Sequence, residues 1–174
     1  MKNSSLLVAL LLSLAIPAFA RAADAPAASP YVVLESFVGG AWVAVLPPQK
    51  DGPPVRLELR FSWNENKQGV HFDSAWLVGD KRAPYTSGMY AWNAAKKALV
   101  TFYTDSSGSL TEGAVMQDGN VLAHEMTLTH KDGSIENVRA RLTKLGNDAF
   151  TNEISLLKDG AWTRIVDVRY ERKS

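Results

Sequence analysis

The chain has 174 residues, no cysteine, 19 basic and 18 acidic side chains, and 46% apolar residues. The missing cysteines exclude disulfide bonds and lipid attachment through a thiol, and the balanced charge leaves no basic excess to neutralise nucleic-acid phosphates. The length suits one domain with a sizeable core.

The opening "MKNSSLLVALLLSLAIPAFA" has a positive Lys2, an apolar run from Leu6 to Ile16, a helix-breaking Pro17 and small residues at Ala18 and Ala20. That is the plan of a secretory signal peptide over residues 1–20, and the run is too short to span about 30 Å of hydrocarbon. The reading implies a periplasmic or secreted protein with no membrane span in the mature form. Cleavage after Ala20 removes one basic residue and no acid, leaving 18 basic and 18 acidic residues. Residues 21–31, beginning "RAADAPAASP", are small and proline-rich and read as a flexible leader. A single domain is expected over residues 32–174.

That domain starts with "VVLESFVGG". Val33, Leu34, Phe37 and Val38 share a helical face, and Gly39 and Gly40 suit a helix stop. Everything after them reads as strands and tight turns. In "VRLELRFSW", Val55, Leu57, Leu59, Phe61 and Trp63 share one face, and Arg56, Glu58, Arg60 and Ser62 share the other. Turn signals then recur about every ten residues: "NENKQG", "VGDK", "NAAKK", "TDSSGS", "QDGN", "HKDGS", "LGND" and "KDGA". Three of them hold Asp-Gly, the strongest short hairpin signal. The spacing predicts an all-β, up-and-down antiparallel barrel of about ten strands, because closure removes the exposed edges of a long meander. The short N-terminal helix would plug one mouth, and Trp42 would enter the barrel floor.

A short helix, then Gly-x-Trp, then an antiparallel meander resembles the lipocalin and fatty-acid-binding (calycin) superfamily. "GMYAWNAAKKALVTFYTDSSGSLTEGAVMQDG" and the closing "YERK" resemble an uncharacterised bacterial family of lipocalin-like barrels. Asn93 stands where that family usually carries Asp. The resemblance implies a ten-stranded barrel around a small apolar ligand, and it implies no activity.

Catalytic motifs are absent from the sequence. "HEMTL" begins like a zinc helix, but Leu128 occupies the place of the second His. His124 and His130 lie roughly 20 Å apart along one strand, too far for one metal ion. No metal and no cofactor are expected. More telling are polar residues on faces that otherwise look apolar. Glu112 shares parity with Leu110, Ala114 and Met116, and His124 with Leu122, Met126 and Leu128. Asn152 shares parity with Phe150, Ile154 and Leu156, and Arg164 with Trp162, Val166, Val168 and Tyr170. In the eighth strand the parity is ambiguous, and a β-bulge anywhere shifts parity by one.

A buried charge is costly unless paired, so inward polar groups should bond to each other, to water or to a ligand. The candidate ligand-binding residues are therefore Glu112, His124, Met126, Asn152 and Arg164, with the aromatics Trp63, Trp76 and Tyr90. An inward Arg164 would offer a donor fork for a carboxylate. The leading reading is an exported barrel that binds a small lipophilic or amphipathic molecule in its interior. The alternatives are a filled barrel serving as a structural or interaction module, an acid–base enzyme using Glu112 and His124, and a haem binder using His124 or Met126. The sequence leaves the oligomeric state open.

Overall fold

A computed structural model of the chain describes residues 29–47 and 52–173. The segment read as a signal peptide, residues 1–20, lies outside the described residues, as does 21–28 of the leader. One short helix, α1 (Val32–Glu35), precedes ten strands. These are β1 (Ala41–Val45), β2 (Val55–Trp63), β3 (Val70–Val78), β4 (Lys81–Asn93) and β5 (Ala98–Asp105), followed by β6 (Leu110–Asp118), β7 (Val121–Thr129), β8 (Ile135–Lys144), β9 (Ala149–Lys158) and β10 (Ala161–Lys173). Each strand pairs antiparallel with the next, and β10 returns to pair with β1, so the barrel closes.

The alternation in β2 sets the pattern for the wall. Leu57, Leu59 and Phe61 face the interior, while Arg56 and Arg60 are exposed outside. Glu58 also faces outward yet is only 8% exposed. Arg60 and Arg82 cover it, with N–O distances of 3.1 and 3.2 Å, and Arg82 also reaches Asp73 at 3.1 Å. The hydrogen bond from Arg60 is the chief reason the Glu58 carboxyl lies below its ordinary value.

The helix segment fills one end of the barrel. Leu34 and Phe37 are buried there against an aromatic cluster. Phe37 meets Phe150 edge-on at 5.3 Å, Trp42 meets Phe150 at 4.9 Å, and Phe150 stacks on Tyr170 at 4.8 Å. Gly39 and Gly40, at φ of 87° and 70°, turn the chain from plug to wall. Tyr31, assigned from the sequence to the flexible leader, is instead part of the plug and only 4% exposed. Its hydroxyl donates to the Gln68 carbonyl at 2.7 Å and accepts from the Trp92 N–H at 2.9 Å.

Arg172 of β10 fastens this plug. Its guanidinium donates to the carbonyls of Ser36 and Gly39 and lies 4.1 Å over the Trp42 ring. Trp42 in turn donates its indole N–H to the Phe37 carbonyl at 2.8 Å. The carbonyls left over at the end of a short helix thus find charged or indole donors inside the protein.

Two strands depart from regular pairing. β4 runs from Lys81 to Asn93 and contains Pro84 near its start. Ser74 pairs with Thr86 and Ala75 with Pro84, so Tyr85 is an extra residue and the proline sits at a bulge, where it is tolerated. In β10, Arg164 pairs with Ser155 but Val166 pairs with Ile154, which makes Ile165 the extra residue. Two glycines allow close approach between strands. A Cβ on Gly88 would lie 2.2 Å from the Phe102 carbonyl oxygen, and one on Gly113 would lie 2.1 Å from that of Glu125. Gly88 stands between the partners Phe72 and Tyr103, whose rings meet across it at 5.6 Å.

Gly88→Ala should therefore cost about 2–3 kcal/mol, because backbone must move to admit the methyl group. Gly119→Ala has open space around it and should cost about 1 kcal/mol, from its positive φ alone. Urea unfolding of the two variants measures the difference. Arg172→Ala should lose about 1–3 kcal/mol by the same measurement, since it removes the donor to the part-buried Ser36 carbonyl and bares the Trp42 face.

Candidate functional site

The plug leaves the rest of the barrel axis open as a cavity of about 230 Å³ that extends toward the opposite end. Its walls are mainly apolar and aromatic, from Leu59, Phe72, Met126, Val138, Ile154 and Val166 among others. Among the described residues, no lysine or arginine lines it. The polar groups reaching it are the hydroxyls of serine, threonine and tyrosine, with His124, Asn152 and the single acid Asp105.

His124 lies at the centre of the polar set. It projects from β7, is 3% exposed, and its Nε2 lies 3.1 Å from the Tyr90 hydroxyl of β4. The two rings meet at 5.8 Å, tilted by 62°. Burial lowers the imidazole to about 4, against a smaller opposing pull from the carbonyls of Ala140 and Leu122. Burial also raises the Tyr90 phenol. The pair is therefore a neutral imidazole and a neutral phenol. Nδ1 of His124 has no hydrogen-bond partner, and neither has Oδ1 of Asn152. If the phenol donates to Nε2, then Nδ1 carries an N–H for which the nearby Ala140 and Leu122 carbonyls offer only a weak pull and no well-formed hydrogen bond. If Nε2–H donates to the phenol, Nδ1 is an acceptor with no donor. Either arrangement leaves one buried polar position unfilled, at a cost of about 1–3 kcal/mol.

The residues singled out in the sequence divide into three groups. His124, Met126, Asn152 and Tyr90 all line the cavity. Trp63 and Trp76 are half-buried but do not line it. Trp63 packs edge-on against Tyr31 at 6.0 Å in the plug, and Trp76 lies against Tyr85 at 5.2 Å. Glu112 and Arg164 face the solvent.

The inward assignment of Glu112 fails because the outer face of this part of the wall is itself apolar. Phe102 is 43% exposed and Met116 51% exposed on the outside, while Thr111 and Val115 turn inward. Arg164 is turned outward by the bulge at Ile165, which puts Ile165 and Val166 on the cavity wall. Arg164 instead meets Asp167 at 2.9 Å, and Trp162, turned out with it, stacks 4.1 Å under the Arg139 guanidinium. Glu112 and His124 therefore lie on opposite faces of the wall and form no acid–base pair. The haem reading draws no support from a His124 whose Nε2 is committed to Tyr90 rather than to an open coordination position.

Sequence reading missed Tyr85 and Asp105 as cavity residues. Tyr85 follows a proline and lies on a bulge. Asp105 follows ordinary alternation from the inward Leu99, Thr101 and Tyr103, but Val100 and Phe102 make the outer face apolar too, so parity marked neither face as the inner one.

No protein-family model matches the chain, and no curated protein matches its sequence. Among solved structures, the fold is similar to that of Rv2717c from M. tuberculosis. The TM-score is 0.54 at 15% identity, over 84% of this chain and 99% of that one. A likeness at this identity carries the barrel fold and nothing further.

The His124 shift makes stability depend on pH. Its folded value, about 4, lies below the ordinary 6.5, so between these values the unfolded chain binds a proton that the folded barrel refuses. Stability should be fully present above pH 6.5 and fall as pH drops toward 4, by up to about 3 kcal/mol. His124→Gln can still meet the Tyr90 hydroxyl but cannot titrate. Urea midpoints measured across this range should decline less steeply in the variant than in the wild type.

Proposed function

We propose that this is an exported protein, periplasmic or secreted, whose barrel binds a small lipophilic or amphipathic molecule in its interior. The observation that carries the reading is the cavity of about 230 Å³ with unpartnered, buried polar atoms on His124 and Asn152. A barrel that had only to be stable would gain by filling this space with apolar atoms and pairing these groups. Apolar walls with a few convergent polar groups are the usual make-up of a small-molecule site. The signal-peptide pattern of residues 1–20 supports export, and the Gly-x-Trp opening supports kinship with calycin barrels that carry such ligands.

The lining sets the chemistry of the ligand. With Arg164 outside and no other cation on the wall, nothing in the cavity would balance a buried carboxylate. A ligand with a neutral hydrogen-bonding group at the His124 end fits best, since that group would satisfy Nδ1.

Fluorescence titration with 1-naphthol, an apolar ring with one hydroxyl, tests the reading. Ala140 lies on the cavity wall beside His124, and Ala140→Phe should abolish binding, while Ala123→Phe on the outer face should not. The double variant Tyr90→Phe/His124→Leu removes both polar partners together and should weaken 1-naphthol about tenfold while leaving naphthalene unchanged. Equal 1-naphthol binding in wild type and Ala140→Phe would place the ligand elsewhere.

A further inference from the structure

Toward its open end the cavity wall carries one carboxylate and, among the described residues, no lysine or arginine side chain. Asp105, the last residue of β5, is half-buried and is the one carboxylate on the cavity wall among the described residues. Its Oδ1 accepts hydrogen bonds from the Ser107 N–H at 2.8 Å, the Ser107 hydroxyl and the Ser109 N–H at 3.1 Å. All three go to the same oxygen, so the turn holds the carboxylate still and leaves Oδ2 available to a ligand. Burial pushes this carboxyl up, but the Ser107 hydroxyl and the neighbouring N–H groups outweigh it and hold the group ionised at neutral pH.

Aromatic rings flank the charge. Tyr103 lies two residues earlier on the same inward face of β5, and Asp105 pairs across to Thr86, next to Tyr85. Both phenols are raised mainly by burial and further by the Asp105 charge, as expected for rings that lie within its field. The nearby cations are engaged outside the cavity or lie off its wall. Arg82 is bound to Glu58 and Asp73, and Lys131 runs past the tip of the turn at Gly108 without lining the cavity.

We propose that the mouth of the cavity recognises a protonated amine, held between the Asp105 carboxylate and the faces of Tyr85 and Tyr103, on a ligand whose apolar body reaches down to His124. This rests on the ligand-binding reading above and narrows it to cationic amphipathic molecules. A carboxylate oxygen with a free lone pair and electron-rich ring faces both favour an ammonium group, and the apolar interior rejects a second charge. The unpartnered Nδ1 of His124, deep in the same cavity, would take a neutral polar group at the other end of the molecule.

Three probes that share one ring separate the cases: 1-naphthylmethylamine, 1-naphthylmethanol and 1-naphthoic acid, titrated by fluorescence at neutral pH. In the wild type the amine should bind about tenfold tighter than the alcohol, and the acid weaker than either. Asp105→Asn keeps an oxygen for the Ser107 and Ser109 donors. It should bring the amine to the affinity of the alcohol while leaving the alcohol unchanged, which also shows that the variant is folded. Equal affinities for amine and alcohol in the wild type, or an acid that binds as tightly as the amine, would overturn the charge preference and leave the ligand-binding reading standing. Binding of none of the three would overturn both.

Discussion

The structure depends on closure at the seam between the first strand and the last. There Trp42 pairs with Arg172, the guanidinium lies over the indole, and the same guanidinium reaches back to the carbonyls of Ser36 and Gly39. One arginine of the final strand thus ties down both the plug and the opening strand, with Arg172 and Gly39 separated by 133 residues of chain. Without the seam, β1 and β10 would be open edges. Without the plug, the aromatic cluster around Phe37 and Phe150 would be exposed at the barrel end. Sealing one end in this way also decides where the cavity lies, because the remaining interior can open only toward the other.

Charge follows the same division. The ion pairs in the described residues lie on the outer wall and at the seam; exposed ones such as Arg139 with Glu125 and Arg164 with Asp167 are screened by water and worth little, while Glu58 is shielded beneath Arg60 and Arg82. The interior holds neutral polar groups, and its one buried imidazole is kept uncharged by desolvation. A ligand entering this interior meets neither an inward cation nor a titrating base at neutral pH. It meets unpartnered hydrogen-bonding atoms in an apolar wall, a set suited to recognition by shape and one or two hydrogen bonds.

How much of the site was legible varied strand by strand. His124, Met126 and Asn152 were placed correctly on the cavity face because Leu122, Leu128, Ile154 and Leu156 mark an unbroken alternation in their strands. Glu112 was misplaced because alternation marks an inner face only when the outer face is polar. In β6 the outer face carries Leu110, Ala114 and Met116, while Thr111 and Gly113 stand on the inner one, so the apolar series pointed the wrong way. Arg164 was misplaced for a different reason. One inserted residue at Ile165 reversed every facing before it in β10, and nothing in "AWTRIVDVRY" marks that insertion. The eighth strand shows the converse: its parity was ambiguous in sequence, and pairing with β7 and β9 turns Val138, Ala140 and Leu142 inward.

By itself the sequence determined the all-β class, the up-and-down strand order and the places of the turns. Those follow from local chemistry: alternating side chains, turn residues that tolerate positive φ, and a pair of glycines after a short helix. Only the tertiary structure decided which polar residues share an interior. Facing depends on register and bulges, which are set by hydrogen bonds between strands rather than within them. It also decided that Tyr31 belongs to the core, since its hydroxyl finds partners at Gln68 and Trp92, far along the chain. The carboxylate on the cavity wall is a product of the same long-range pairing. Asp105 looks like any turn aspartate until the barrel closes around it.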